Sequence, residues 1–417
     1  MYPCHPNRKA TVMINRKKFD FTLAIILGLL IIAGILAIYS ASTSKIGEQI
    51  SVRNYWWRQL IFSFILIGLL FLLFKLPIPV FDILIVPLYI FNLILLFLVL
   101  FTPAINGSHR WFNLFGFSYQ PSESAKLLTI LLTARILAKE NLSELKQLVF
   151  GILCILLPFL LVIVEPDIGT SLMFWISLFA MFTATGLPSF YLLLMISPIL
   201  SIIVSFHWIF IVIWCIALVL ILLWYRLSWV TITVAAIFNL FIAIIMPVFW
   251  NNLKEYQQNR ILTFIDPSHD PLGAGYQIIQ AKIAVGSGGT IGKGWLEGTQ
   301  KNMNFLPEHH TDFIYSVIGE EFGFIGSLVL LFLFFLLFWR IILAIRDIRV
   351  RERKIAVSGI LGYLMFQMFI NIGMNIGLVP TTGIPLPFIS YGGSNLLING
   401  LAVGIVLKYL NERGFMK

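Results

Sequence analysis

Long apolar runs divide this chain from end to end, and they leave room for one class of fold. They lie near 21–40, 60–74, 80–101, 122–138, 148–164, 168–185, 190–206, 208–225, 229–250, 313–339, 355–378 and 386–408. A hydrocarbon layer about 30 Å thick takes roughly 20 residues of helix to cross, so the runs predict about 12 spans. The second is short and recruits Tyr55, Trp56 and Trp57 as an interfacial belt. Hydrophobic residues are 59% of the sequence and charged residues 12%, a balance that no water-exposed surface could cover. Continuous Leu, Ile and Phe lack the alternation of a membrane β-barrel. The expected fold is therefore an all-α, polytopic helical membrane protein in a single integral membrane domain.

The formal charge of +10 follows from topology and gives no reason to invoke nucleic acid. With a cytoplasmic start, twelve spans return both termini to the cytoplasm. Most Lys and Arg then fall on that side, including Arg8, Lys9, Arg16, Lys17 and Lys18 in the basic N-terminus 1–20 and Arg346, Arg349, Arg351, Arg353 and Lys354. That is the positive-inside signal; the tail 409–417 lies on the same side. The first run ends in "YSASTS" but is too long for a cleaved signal peptide, so it reads as a retained anchor. Cys4, Cys154 and Cys215 fit neither a disulfide framework nor a metal site and read as packing residues.

Loops of 102–119 and 251–311 fall outside, and the second is long enough to suggest a function. The first carries Arg110 and Trp111. Charges within or beside spans are costly and therefore informative. Glu123 and Lys126 in "QPSESAK" share a helical face, as a packing ion pair or as part of a site. Asp167 in "VEPDIGTS" fits a helix N-terminus, and capping alone would explain it. The stretch "VGSGGTIGKGW" fails as a phosphate loop, because Ser287 replaces the first Gly and Gly294 follows Lys293. In "NFLPEHHTDFIYSVIGEEFGFIG", Glu320 and Glu321 mark the expected boundary, with Asp312 about 12 Å above it at 1.5 Å per residue. A carboxylate at headgroup height could act as a general base, and Thr311 or Asp312 could instead cap the helix. A metal cluster of Glu308, His309, His310 and Asp312 is disfavoured by its spacing. The Gly- and Pro-rich segment "NIGMNIGLVPTTGIPLPFISYGGSNL" either packs helices or lines a cavity.

Taken together, "RWFNLFGFSYQPSESAK", "EPDIGTS", "DPLGAGYQIIQAKIAVGSGG", "FLPEHHTDFI" and "GIPLPFISYGGS" resemble, in order, the motifs of the SEDS family of bacterial cell-wall proteins. "GKGWLEGTQ" is similar to its elongation branch. The resemblance implies a peptidoglycan glycosyltransferase that polymerises lipid II outside the cytoplasmic membrane, inverting the anomeric carbon and releasing undecaprenyl pyrophosphate. It implies Asp312 as the essential acid, with Glu123, Lys126 and Asp167 as supporting residues. The chemistry needs cations near the pyrophosphate, for which Lys126, Arg110, Arg260, Lys282 or a divalent ion such as Mg or Mn are candidates. Trp111 stands beside Arg110 in the loop 102–119, which with 251–311 is expected to form a polar roof over the bundle. Any metal would fall to Asp312, Glu123 and Asp167. The implied partners are a class B penicillin-binding protein transpeptidase, lipid II, other elongation-complex proteins and membrane lipids, with no nucleic acid or nucleotide cofactor. Family members carry ten spans, so two here are extra, expected near 190–225. The competing readings are a flippase for the same lipid, which predicts discontinuous helices and internal repeats, and a scaffold without chemistry.

Overall fold

In lipid the backbone finds no polar partner except itself, so apolar runs fold as helices. The structure is a computed structural model and describes residues 19–46, 49–52, 54–103, 109–114, 117–140, 142–253, 255–266, 274–302 and 310–411. Cys4, Glu308, His309 and the basic residues Arg8 to Lys18 lie outside the described residues.

The long helices are α1 (Phe21–Ser42), α2 (Tyr55–Lys75), α3 (Ile78–Val99), α4 (Pro121–Leu137), α5 (Glu144–Val164), α6 (Ile168–Thr185), α7 (Ser189–Val204), α8 (Trp208–Trp224) and α9 (Trp229–Asn251). After α10 (Glu255–Ile265), α11 (Ala274–Ser287) and the single turn α12 (Thr299–Asn302) come α13 (Ile314–Asp347), α14 (Arg351–Asn375) and α15 (Gly393–Asn411). Among the described residues, 9 helices are long and apolar enough to cross a membrane. Helices α7 and α8 are apolar but shorter, and α4 has 17 residues, with Glu123 and Lys126 buried. The apolar runs of the sequence thus each correspond to a helix. Two small antiparallel hairpins join them, β1 (Thr43–Ile46) with β2 (Gln49–Val52) and β3 (Phe112–Leu114) with β4 (Phe117–Tyr119).

Helix α14 lies at the centre, packed along α6 and against α4, α13 and α15. Helices α7, α8 and α9 form a unit to one side. Leu218, Leu222, Ile232 and Ala235 make its own small core. Inside it, Asn239 Nδ2 donates to Ser197 Oγ at 3.1 Å, while Ser201 Oγ donates to Asn239 Oδ1 at 2.8 Å and accepts from Trp214 Nε1 at 2.9 Å. In an apolar medium such bonds fix how helices pack.

Helix α13 is broken. At Gly323 the backbone leaves helical geometry (φ 63°, ψ −156°), which frees carbonyls on one side of the break and N–H groups on the other. The loop after α11 supplies partners: Lys293 N and Gly294 N donate to the carbonyls of Glu320 and Glu321, both at 3.0 Å, and the carbonyls of Gly289 and Thr290 accept from Phe324 N and Ile325 N at 2.9 and 3.1 Å. This explains "VGSGGTIGKG". A Cβ at Gly292 would collide with the Glu321 carbonyl, so the loop needs glycine to reach the break.

Discontinuous helices were the mark of the transporter reading, yet these freed groups are filled by the chain itself. Glu320 and Glu321, expected at a boundary, are both 1% exposed and act as anchors. Glu320 Oε1 accepts from Lys293 Nζ at 2.7 Å and from Thr299 N and Oγ1 at 2.8 Å each. Both oxygens of Glu321 accept from Ser40 Oγ at 2.6 Å. Gly323→Ala places a side chain at positive φ and against the loop, and should cost roughly 1–3 kcal/mol. A lower unfolding temperature in detergent reads this, beside Gly28→Ala, which meets open space and should not lower it.

Candidate functional site

The turn that precedes α13 is held by its carbonyl groups. His310 O accepts from Tyr391 N at 3.0 Å, and Thr311 O accepts from Ser390 Oγ at 2.6 Å. Asp312 O accepts from both Asn371 Nδ2 and Asn375 Nδ2, at 2.9 and 3.0 Å. Asn375 Oδ1 also accepts from Ser316 N, at 3.1 Å in the first turn of α13. Gln367, Asn371 and Asn375 recur every fourth residue, so they form one face of α14. Gln367 and Asn371 also bond the carbonyls of Pro385 and Ile384, at 2.9 and 2.8 Å. One helical face therefore fastens both the Asp312 turn and the Pro-rich segment beside it. The N-cap of α13 is Phe313, so Asp312 does not occupy the capping position. Its Oδ2 lies 3.4 Å from where Gly383 would carry a Cβ, and at φ 74° that glycine adopts a backbone conformation that side chains rarely take.

Among the described side chains, Lys282 is the candidate cation nearest this neighbourhood along the chain's packing. Its stem lies against Gly377, just beyond the end of α14. The adjacent Ala281 packs with Ala284 and Phe313, next to Asp312. Lys282 itself is exposed. Arg260 belongs to α10, and its side chain lies outside the described residues.

The other expected site residues are engaged elsewhere. Arg110 Nε donates to Glu165 O at 2.9 Å, its NH2 group donates to Pro166 O, and its NH1 group stands 3.8 Å from Asp167 Oδ2. It thus covers the carbonyls that end α5. Trp111 is half-buried beside it. Asp167 caps α6, accepting from Thr170 N at 3.1 Å and Thr170 Oγ1 at 2.9 Å, and also from Gln120 Nε2 at 3.1 Å. Glu123 and Lys126 form a 3.0 Å ion pair with side chains 4% and 1% exposed; Lys126 Nζ also meets Met173 Sδ at 3.4 Å. That pair is a closed interior contact. Among the described residues no group of three or more His, Cys, Asp or Glu is arranged to hold a metal ion. Asp312, Glu123 and Asp167 therefore do not form a protein-only metal site.

A model of the FtsW, RodA and SpoVE family, described as cell cycle protein, matches residues 21–214 and 210–413. This chain belongs to that family. Its two matched stretches meet inside α8, within the laterally placed unit. The peptidoglycan glycosyltransferase MrdB of Escherichia coli (strain K12) is 34% identical over 413 residues, covering 98% of this chain and 97% of that one. The peptidoglycan glycosyltransferase RodA of Treponema pallidum is 30% identical over 431 residues, covering 95% and 98%. Among solved structures, a chain from a study of how a peptidoglycan synthase complex coordinates polymerization and crosslinking superposes with a TM-score of 0.71 at 29% identity, covering 96% of this chain and 99% of that chain. The rod shape determining protein RodA of Thermus thermophilus, at 24% identity, a TM-score of 0.64 and coverage of 99% and 100%, shares the fold.

Sequence reasoning missed Asn371, Asn375 and Ser390, which hold the Asp312 turn. Their signal was present: polar residues on one face of an apolar span. It also left Glu165 out of the site. Glu165 lies between α5 and α6 and is 1% exposed; its carboxyl has no hydrogen-bond partner. Burial, with the Asp167 charge adding and Arg110 opposing, pushes its pKa from 4.5 up to about 9. The folded protein then holds a proton there that the unfolded chain releases above pH 4.5, so this group costs stability as pH rises from 4.5 to about 9. Glu165→Gln should stabilise the protein by an amount that grows across that window, levels off above it and vanishes below pH 4.5. Unfolding temperatures measured against pH would check this.

Proposed function

We infer that this chain is a peptidoglycan glycosyltransferase that polymerises lipid II into glycan strands during cell elongation, with Asp312 as its general base. The observation that carries the assignment is the Asp312 turn, whose carbonyls are fastened to α14 and the Pro-rich segment and whose carboxylate stands beside Gly383. A base must be held within reach of the proton it takes, and fixed geometry is what makes that transfer efficient.

In the reaction, the 4-hydroxyl of an acceptor GlcNAc attacks the anomeric carbon of a donor MurNAc. Asp312 takes the hydroxyl proton as the new C–O bond forms. The bond to undecaprenyl pyrophosphate breaks with inversion, and the pyrophosphate leaves with the bonding pair. Lys282 would help offset that charge. Glu123, Lys126, Asp167, Arg110 and Trp111 support the reaction by fixing α4, α5 and α6 and the loop above them. A divalent cation would be held by Asp312 and would take further ligands from the substrate's phosphates and water, as Mg²⁺ commonly does. It would neutralise the leaving pyrophosphate.

The chain is a multi-pass membrane protein. We place it in the bacterial cytoplasmic membrane with Asp312 on the extracytoplasmic side, because Arg346, Arg349, Arg351, Arg353 and Lys354 gather where α13 meets α14, at the opposite end of α14 from Asn375. The likeness to a chain of a synthase complex supports a transpeptidase partner, a class B penicillin-binding protein.

Lipid II polymerisation by the purified chain with its transpeptidase tests the reading. Asp312→Asn should lower strand formation by at least about hundredfold, the scale of a lost general base, with protein abundance retained. Lys282→Ala should lower it less, and chelation followed by Mg²⁺ addition reads any metal requirement. Full activity of Asp312→Asn would move the base elsewhere.

A further inference from the structure

The end of the bundle that carries Asp312 also carries a row of aromatic rings. Tyr39, in the last turn of α1, meets Trp56 at 5.6 Å and Trp295 at 5.9 Å between ring centroids. Trp56 meets Trp57 at 5.7 Å. Tyr55, the residue before Trp56 on α2, stacks on His310 at 4.2 Å with planes 9° apart, so the first turn of α2 touches the Asp312 turn as well as bearing the row. Trp57 and Trp295 are 52% and 46% exposed and leave ring surface open at the outer limbs of the row.

An interfacial belt is the ordinary use of such residues, and there Trp and Tyr of spanning helices meet the headgroups. This row departs from it in three ways. Trp295 stands on the loop between α11 and α12 and not on a spanning helix. That loop is fixed on both sides of Trp295, by Gly294 N to the Glu321 carbonyl and by Thr299 to the Glu320 carboxylate. Tyr55 and Trp56 pack inward against the main core, and Tyr55 meets the Asp312 turn at His310. The platform is therefore rigid before any ligand arrives, which lowers the entropy cost of binding.

A pyranose ring has an apolar face of C–H groups and a rim of hydroxyls. A flat aromatic ring covers the first and leaves the second hydrated, giving large contact area at low conformational cost. Stacking also tolerates sliding, because each successive unit presents a similar face, as with bases on a single-strand binding surface. A polymerase must release one strand position and hold the next without losing the chain.

We propose that Tyr39, Trp56, Trp57 and Trp295 form a stacking platform for the growing glycan strand beside Asp312. The proposal rests on the polymerase reading and adds to it the place where the product is held between additions.

Strand-length distributions from lipid II, made by the full chain with its transpeptidase, test it. Trp295→Ala should shorten the median strand about fivefold, the size of one lost ring contact, and by more than it slows lipid II consumption. Trp295→Phe, which keeps an aromatic face, should restore most of the length, and Tyr39→Leu, which keeps only apolar bulk, should shorten it. Trp224→Ala, in the exposed end of α8, should leave the length unchanged. If Trp295→Ala and Trp224→Ala act alike, through the amount of inserted protein with strand length unaltered, the row is a belt and the platform is overturned. Wild-type chain that makes no strands would overturn the polymerase reading and the platform with it.

Discussion

Everything proposed for this protein depends on how a three-residue turn is held at a membrane surface. The carbonyls of His310, Thr311 and Asp312 are each accounted for by a donor from α14 or from the Pro-rich segment after it. In a poorly hydrated setting an unmet carbonyl is costly and a met one is hard to pull apart. The same amide face of α14 holds the Ile384 and Pro385 carbonyls, so the turn and the loop that shapes its surroundings share one support. A base that touches a lipid-linked sugar gains from this arrangement, because a fixed carboxylate need not be ordered again at each turnover.

A second constraint works from below. Breaking α13 at Gly323 would be expensive in lipid if the freed groups were left open. The glycine loop after α11 fills them, and the Glu320 carboxylate ties the far end of that loop back to the same half-helix. The first half of α13, which begins next to Asp312, is therefore clamped at both ends. The loop gives up mobility and in return presents Trp295 on a firm base. The buried Glu123–Lys126 pair and the Asp167 cap play a quieter part, fixing α4 and α6 against the central helix.

Much of this was legible in the sequence. Apolar run length gave the helices, since length and hydrophobicity alone decide whether a segment spans. Asp312 stood out through its motif, with helix capping as the alternative, and the N-cap of α13 is Phe313 instead; Asp167, for which capping was one of two readings, does cap α6. The rest was hidden for identifiable reasons. Asn371 and Asn375 look like tolerated polar residues until their partners, some sixty residues away, are known. The interruption of α13 cannot be read from Gly323 by itself, because it exists only where the "GSGGTIGKG" loop can fill it. Charge type did not reveal which cations are engaged elsewhere: Lys126 is sealed inside and Arg110 is spent on α5 carbonyls, while Lys282 stays exposed. The lateral unit of α7, α8 and α9 shows its separateness only through its private core.

The measurement that bears most directly on this account is the steady-state kinetics of lipid II polymerisation by Asn371→Leu and Asn375→Leu, with folding followed by unfolding temperature. If the α14 amides position Asp312, kcat falls steeply, on the order of a hundredfold for a displacement near 1 Å, while KM stays close to the wild-type value. A folded double variant with unchanged kcat would contradict it and show that the turn holds its geometry without them.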